Sequence, residues 1–200
     1  MIDNDGPIRS LTLHPNRNLI IHGDDSGALY FRNATTGQLF RKIKAHDGPI
    51  RQLTFNSSGN LLLSASEDGE IKIYDFDKDA VVQSMYSPDY AGISFALFSI
   101  ADGFVYFNSG KKIYKTRSDF AQRVSLFSEE DQPITDAVVS NDRSYFLYSN
   151  GKSIKVIRTR TDAVAQELNA GTSKILRMRF VNDSVLAVWC EDGALSFRYF

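Results

Sequence analysis

Few residues of this chain have chemistry to offer: histidines at 14, 22 and 46, one cysteine at 190, and carboxylates spread along the sequence. A bound metal needs His, Cys or acidic ligands at short, regular spacings, and the three histidines keep none. Asp24 and Asp25 are adjacent, so on a strand they would point to opposite faces; they read as a turn pair, not an acid/base dyad. No serine stands in a Gly-x-Ser-x-Gly elbow. Cys190 follows Trp189 on an apolar run, which makes it a core thiol before a reactive one. Lys111, Lys112, Lys115 and Arg117 could touch nucleic acid. They lack interleaved exposed aromatics, and Glu129, Glu130 and Asp131 follow closely, so the cluster reads as a solvated face. The glycines are scattered one per turn and build no phosphate loop. The expectation is a chain that is not an enzyme, holds no metal or cofactor, and does not contact nucleic acid directly.

The elements that position these residues repeat. Asp5-Gly6-Pro7-Ile8-Arg9 returns unchanged, 42 residues later, as Asp47-Gly48-Pro49-Ile50-Arg51. The residue opening each unit is Ile8, Ile50, Ile93, Ile134 and Ile175, with steps of 42, 43, 41 and 41. The last apolar residue of each unit, Ile43, Met85, Phe127 and Leu168, keeps the same period independently. A period near forty marks a repeat architecture, which usually builds a surface before it builds a catalytic pocket. Within unit two, four β-type runs (50–55, 61–66, 71–74 and 80–85) are separated by Asn-Ser-Ser-Gly, Glu-Asp-Gly and an acidic turn. Unit four repeats the scheme over 134–139, 145–148, 154–157 and 163–168. No stretch keeps an apolar stripe at helical spacing, so the chain is expected to be all-β.

His46, then Ser64-Ala65-Ser66-Glu67-Asp68-Gly69, then Ile71-Lys72-Ile73-Tyr74-Asp75 resembles a WD-repeat β-propeller blade, with Tyr-Asp where Trp-Asp is usual. The resemblance is strong over residues 6–86, moderate over 133–200 and weak over 91–127. It implies four-stranded antiparallel blades packed radially around a channel, near 8–43, 50–85, 93–127, 134–168 and 175–200, with 1–200 forming one propeller domain. It also implies a buried hydrogen-bonded tetrad of His46, Ser64, Asp68 and Tyr74. In unit one the matching positions are Asn4, Ser26 and Arg32, with Asp24 or Asp25 as a substitute in the turn. Unit three has Lys111 in place of the turn Asp and shows no tetrad. Unit five keeps Cys190-Glu191-Asp192-Gly193 but ends in Phe197-Arg198. Partners of this family dock chiefly on the face carrying the strand-one starts and the turns between strands two and three. The matching positions are Arg9, Arg51, Ser94, Thr135 and Leu176, with Asp25, Glu67 and Glu191 beside the turns.

Composition agrees. The 200 residues are 42% apolar, enough for a sizeable core, and a net charge of −1 carries no polyanion signature. A single cysteine precludes an internal disulfide and suits a reducing compartment. The first residues do not resemble a signal peptide, and no apolar run approaches a membrane span. The sequons at Asn33, Asn56 and Asn182 lie at turns and read as turn chemistry. An intracellular location, in cytoplasm or nucleus, follows as the expectation. The fifth unit stops within its third strand, so an open arc or a portion of a larger propeller is expected, completed by further blades or by a partner strand. The functional expectation is a non-catalytic scaffold for protein–protein contacts in a multiprotein complex. A reader of peptide motifs or modified tails at the channel mouth is the alternative, and an enzymatic propeller ranks last.

Overall fold

The computed structural model describes residues 6–87, 89, 92–99, 102–121, 124–169 and 173–199. Five antiparallel sheets follow one another along the chain, and no α-helix occurs among the described residues. Blade one is β1 (Ile8–Leu13), β2 (Leu19–Asp24), β3 (Ala28–Asn33) and β4 (Leu39–Lys44). Blade two is β5 (Ile50–Phe55), β6 (Leu61–Ser66), β7 (Glu70–Asp75) and β8 (Ala80–Tyr86). Blade three is β9 (Ala96–Phe98), β10 (Phe104–Ser109), β11 (Lys112–Arg117) and β12 (Ser125–Glu129). Blade four is β13 (Ala137–Val139), β14 (Tyr145–Asn150), β15 (Ser153–Arg158) and β16 (Ala163–Asn169). Blade five has three strands, β17 (Ile175–Asn182), β18 (Val185–Cys190) and β19 (Leu195–Tyr199). In every sheet the strands pair in chain order, as short turns between neighbours dictate.

Two strand boundaries differ from the sequence reading. Ile93 and Ile134 are buried but precede β9 and β13, which are three residues long. Side chains take the ladder's place there. The Ser94 and Phe95 amides donate to Asn108 Oδ1 at 3.0 Å, and those of Thr135 and Asp136 donate to Ser149 Oγ at 3.0 and 3.2 Å. An amide bonded to a side chain cannot also close a strand ladder.

The core is built between blades. One cluster joins blades one and two through Ile21, Phe31, Leu53 and Leu62, and another joins blades two and three through Leu63, Ile73, Val105 and Phe107. Tyr106 and Phe146 stack at 4.8 Å between blades three and four, and Leu147, Met178 and Val188 join blades four and five. Cys190 is buried in that last cluster. Blades two, three and four are thus packed on both faces, as a radial stack of sheets with strand one of each at the axis requires, whereas blade five leaves Trp189, Leu195, Phe197 and Tyr199 exposed. Gly27 illustrates how tightly the chain is drawn in. At φ 83° its carbonyl accepts the amides of Ala45 and His46 at 3.0 and 2.9 Å, and a Cβ there would lie 2.1 Å from the His46 oxygen. At the opposite end of the axis, Arg143 of blade four reaches Asp102 of blade three at 2.6 Å and the Phe55 carbonyl of blade two at 3.0 Å.

Candidate functional site

His46 enters blade two with its side chain wholly buried. Nδ1 lies 3.1 Å from Asp68 and Nε2 lies 2.8 Å from the Ser64 hydroxyl. Asp68 also accepts the backbone amides of Asp47 and Glu70, both at 2.8 Å. Burial holds the His46 imidazole below its ordinary value, against the pull of Asp68. A neutral ring that donates from Nδ1 to Asp68 accepts the Ser64 hydroxyl at Nε2. Burial acts to raise Asp68, but the two amides and His46 outweigh it and hold the carboxyl low. Ligand atoms of His46, Asp68 and Glu70 lie within 4.8 Å of one another. Both ring nitrogens are already engaged and Glu70 pairs with Lys72 at 2.9 Å, so these atoms serve the turn.

Tyr74, expected as the fourth member, stands outside this network. Its hydroxyl donates to Asp79 in the next turn, which with burial raises the phenol to about 12. A phenol carries its only polar atom at the ring tip, beyond reach of Ser64, whose other neighbour is the Lys72 carbonyl at 3.4 Å.

Blades one, three and four build comparable nodes from different residues. In blade four Glu130 stands two periods after His46 and Tyr148 two periods after Ser64. Glu130 accepts the Tyr148 hydroxyl at 2.7 Å, the Asn150 amide at 2.9 Å, Lys155 at 2.6 Å, and the Ser128 hydroxyl. Burial acts to raise this carboxyl, and Lys155, Ser128 and Tyr148 together hold it below the ordinary value. In blade three, where no tetrad was expected, Asp89 accepts the Tyr114 hydroxyl at 2.7 Å with Lys112 at 3.5 Å. In blade one Asp24, fully buried, accepts the Ser26 and Ala28 amides and the Tyr30 hydroxyl, all at 3.0 Å. Asn4 lies outside the described residues. Arg32 Nε contacts His22 Nε2 at 3.2 Å, and that imidazole stacks on Tyr30 at 4.6 Å. Sequence reading named Asp24 or Asp25 for the blade-one turn but missed the nodes of Asp89 and Glu130, because it looked for residue types; their offsets of one and two periods from His46 were the available signal.

The face residues divide. Arg9 grips Asp25 through two nitrogens, with Nη2 at 2.7 Å, and Arg51 grips Glu67 from Nε at 2.7 Å. The two ion pairs occupy the same place on adjacent blades and sense one another: Glu67 adds to the rise in Arg9, and Arg51 to the lowering of Asp25. Ser94 borders the same face, in a cleft of about 350 Å³ with Arg51 and Glu67. Its hydroxyl turns inward to Asn108 at 2.8 Å. Thr135 is spent on structure, bonded to Ser149 Oγ at 2.8 Å and donating to the Ile175 carbonyl of blade five. Leu176 and Glu191 are exposed on blade five. At the axis a cavity of about 520 Å³ is lined by β1, β5, β9, β13 and β17, with Arg9, Arg51, Arg143, Arg177 and Arg179 among its walls.

The comparisons with known proteins agree with this geometry. A family model named for the Vps41 β-propeller, and described as Vps42 β-propeller, matches residues 4–178. Among solved structures, the β-propeller domain of Cps50 (Swd1) from Myceliophteria thermophila superposes with a TM-score of 0.84 at 14% identity. The match covers 98% of this chain and 65% of that one, so this chain spans about two thirds of that propeller. No curated protein matches the chain.

Proposed function

The chain belongs to the Vps41-type β-propeller family, and we propose that it works as a non-catalytic WD-repeat scaffold, docking protein partners within an intracellular multiprotein complex. Residues 1–200 act in this reading as one propeller domain. The observation that carries it is the pair of ion pairs Arg9–Asp25 and Arg51–Glu67, set side by side on one face with side chains between 29% and 44% exposed. Arginine is enriched at interfaces, and a guanidinium already held by a carboxylate is pre-organised for a partner. The buried titratable groups at the blade nodes support a non-catalytic role, since their hydrogen bonds are spent on turns and strands. Arginines at the axis disfavour a cationic modified tail, which the alternative reading would place in the channel.

The test is to reverse charge at Arg9→Glu with Arg51→Glu and follow capture of partners by the purified chain. Loss of a partner at unchanged thermal stability is the expected result. A partner retained in full would move the docking face elsewhere.

A further inference from the structure

The central cavity carries charge of one sign on its walls. Five arginines face it from four blades, and no Asp or Glu is among the residues that line it. Carboxylates approach those arginines from outside the lining. Asp25 holds Arg9, Glu67 holds Arg51 and Asp102 holds Arg143. Arg177 and Arg179 share a single carboxylate, Asp136, at 3.5 and 3.0 Å. Five guanidinium groups therefore meet four carboxylates, and the surplus positive charge falls at Arg177 and Arg179.

Those two arginines are built to receive an anion. They alternate on β17 and so project to one side of it, with side chains 46% and 52% exposed. Asp136 beneath them is 2% exposed and also accepts the Met178 amide at 2.7 Å, so it cannot swing out to neutralise the cavity. Each arginine meets Asp136 through Nη1, and Arg179 Nη1 also donates to the Met178 carbonyl at 2.6 Å, which leaves Nε and Nη2 of both without an acceptor among the described residues. Apolar side chains share the wall, with Leu11 exposed and Phe180 partly so, while Leu53 and Val138 border it from the interblade core.

We infer that this cavity receives an acidic, partly apolar peptide segment of a protein partner, one carboxylate of which seats across Arg177 and Arg179. The inference rests on the docking reading above and supplies the chemistry of its partner. A carboxylate matches the planar fork of a guanidinium, and the leucine and phenylalanine walls favour apolar side chains beside it. A cationic segment meets five like charges. Inorganic polyphosphate or a nucleic-acid backbone satisfies the arginines but leaves the apolar wall uncovered. The volume lies within the roughly 300–1,000 Å³ of ordinary ligand sites, larger than a single ion needs.

The experiment uses the full chain and a fluorescent hexapeptide alternating glutamate and leucine. Comparators are the same peptide with lysine for glutamate, the same with glutamine for glutamate, and inorganic tripolyphosphate as competitor. Fluorescence anisotropy is expected to show saturable binding of the glutamate peptide only, weakening as salt is raised. Arg177→Gln with Arg179→Gln is expected to lower that affinity tenfold or more. Because Arg179 also covers buried Asp136, Arg177→Gln alone serves as the milder variant, with a loss of severalfold, and Arg177→Lys is expected to recover part of it. Equal binding of the glutamine peptide, or displacement by tripolyphosphate at the peptide's own concentration, would overturn the inference. So would unchanged affinity in folded Arg177→Gln. The Arg9→Glu with Arg51→Glu variant separates the two readings: partner capture lost there while the peptide result fails leaves the docking face standing without the channel.

Discussion

Removing the blade-four carboxylate tests whether the nodes hold the blades. In Glu130→Ala, four donors lose their acceptor: the Tyr148 and Ser128 hydroxyls, the Asn150 amide and the Lys155 ammonium. Tyr148 is 1% exposed, so its hydroxyl cannot turn to water; a stranded buried donor costs about 1–3 kcal/mol. Breaking a fully buried ion pair costs about 3–5 kcal/mol, but the Lys155 side chain is 24% exposed and rehydrates, which brings its share down to about 1 kcal/mol. The expected total is about 3 kcal/mol, or about 6–12 °C in melting temperature for a chain of this size. Tyr148→Phe alone leaves Glu130 three of its donors and is expected to cost about 1 kcal/mol. In the double variant the hydroxyl is no longer there to be stranded, so the loss must fall short of the sum by about 1–2 kcal/mol. Urea unfolding of the four chains measures this coupling directly. Strict additivity, within about 0.3 kcal/mol, would refute a node in which Tyr148 and Glu130 act together.

Two further outcomes follow from the other nodes. Asp68→Ala strips His46 and two amides of their acceptor and is expected to cost about 1–3 kcal/mol, whereas exposed Asp192 caps the Ala194 amide and should cost about 1 or less; equal losses in urea melts would contradict the difference in burial. His46 is lowered by burial, so the unfolded chain takes up the proton first on acidification. Its contribution is therefore complete above pH 6.5 and is lost as pH falls from 6.5 toward the folded value, about 1.4 kcal/mol for each unit of depression. His14 and His22 are lowered by burial in the same sense, and buried Asp136, which is raised, works oppositely above 3.8; all three are common to parent and variant. His46→Gln should accordingly flatten the fall in urea midpoint between pH 7.5 and 5.5, and an unchanged slope would mean that His46 is not held neutral.

The fold was legible because period and turn chemistry repeat. Asp5–Arg9 and Asp47–Arg51 set the ruler, and Gly27 and Gly69, both at positive φ, close the same turn in adjacent blades. What escaped were features that depend on position without residue type. Glu130 and Asp89 do the work of His46 in their blades, yet neither looks like a histidine, and Tyr148 does the work of Ser64. Arg143 and Asp102 sit at positive φ without glycine's freedom, and their meeting across two blades leaves no local pattern. Tyr74 misled for the converse reason, since an aromatic at the expected place brought its polar atom to a different neighbour. The arginines of the cavity come from separate units and converge only when the sheets are stacked radially.

Asp24 and Asp25 show how one short segment serves both the fold and the surface. As expected of neighbours in an extended chain, they face opposite ways. Asp24 is fully buried and receives Tyr30, while Asp25 looks out and holds Arg9. Blade two keeps the outer acid in the same place, with Glu67 holding Arg51, while its buried acid, Asp68, lies two positions further along the repeat and binds His46. The node thus anchors the turn that carries the acidic half of each surface pair. In blade two it anchors the other half as well, because His46 lies five residues before Arg51 on the segment arriving from blade one. Losing the buried bond would free both segments that set the Arg51–Glu67 geometry. Interior hydrogen bonds in this propeller therefore fix the spacing of the exposed charges, although none of the buried groups needs to touch a partner.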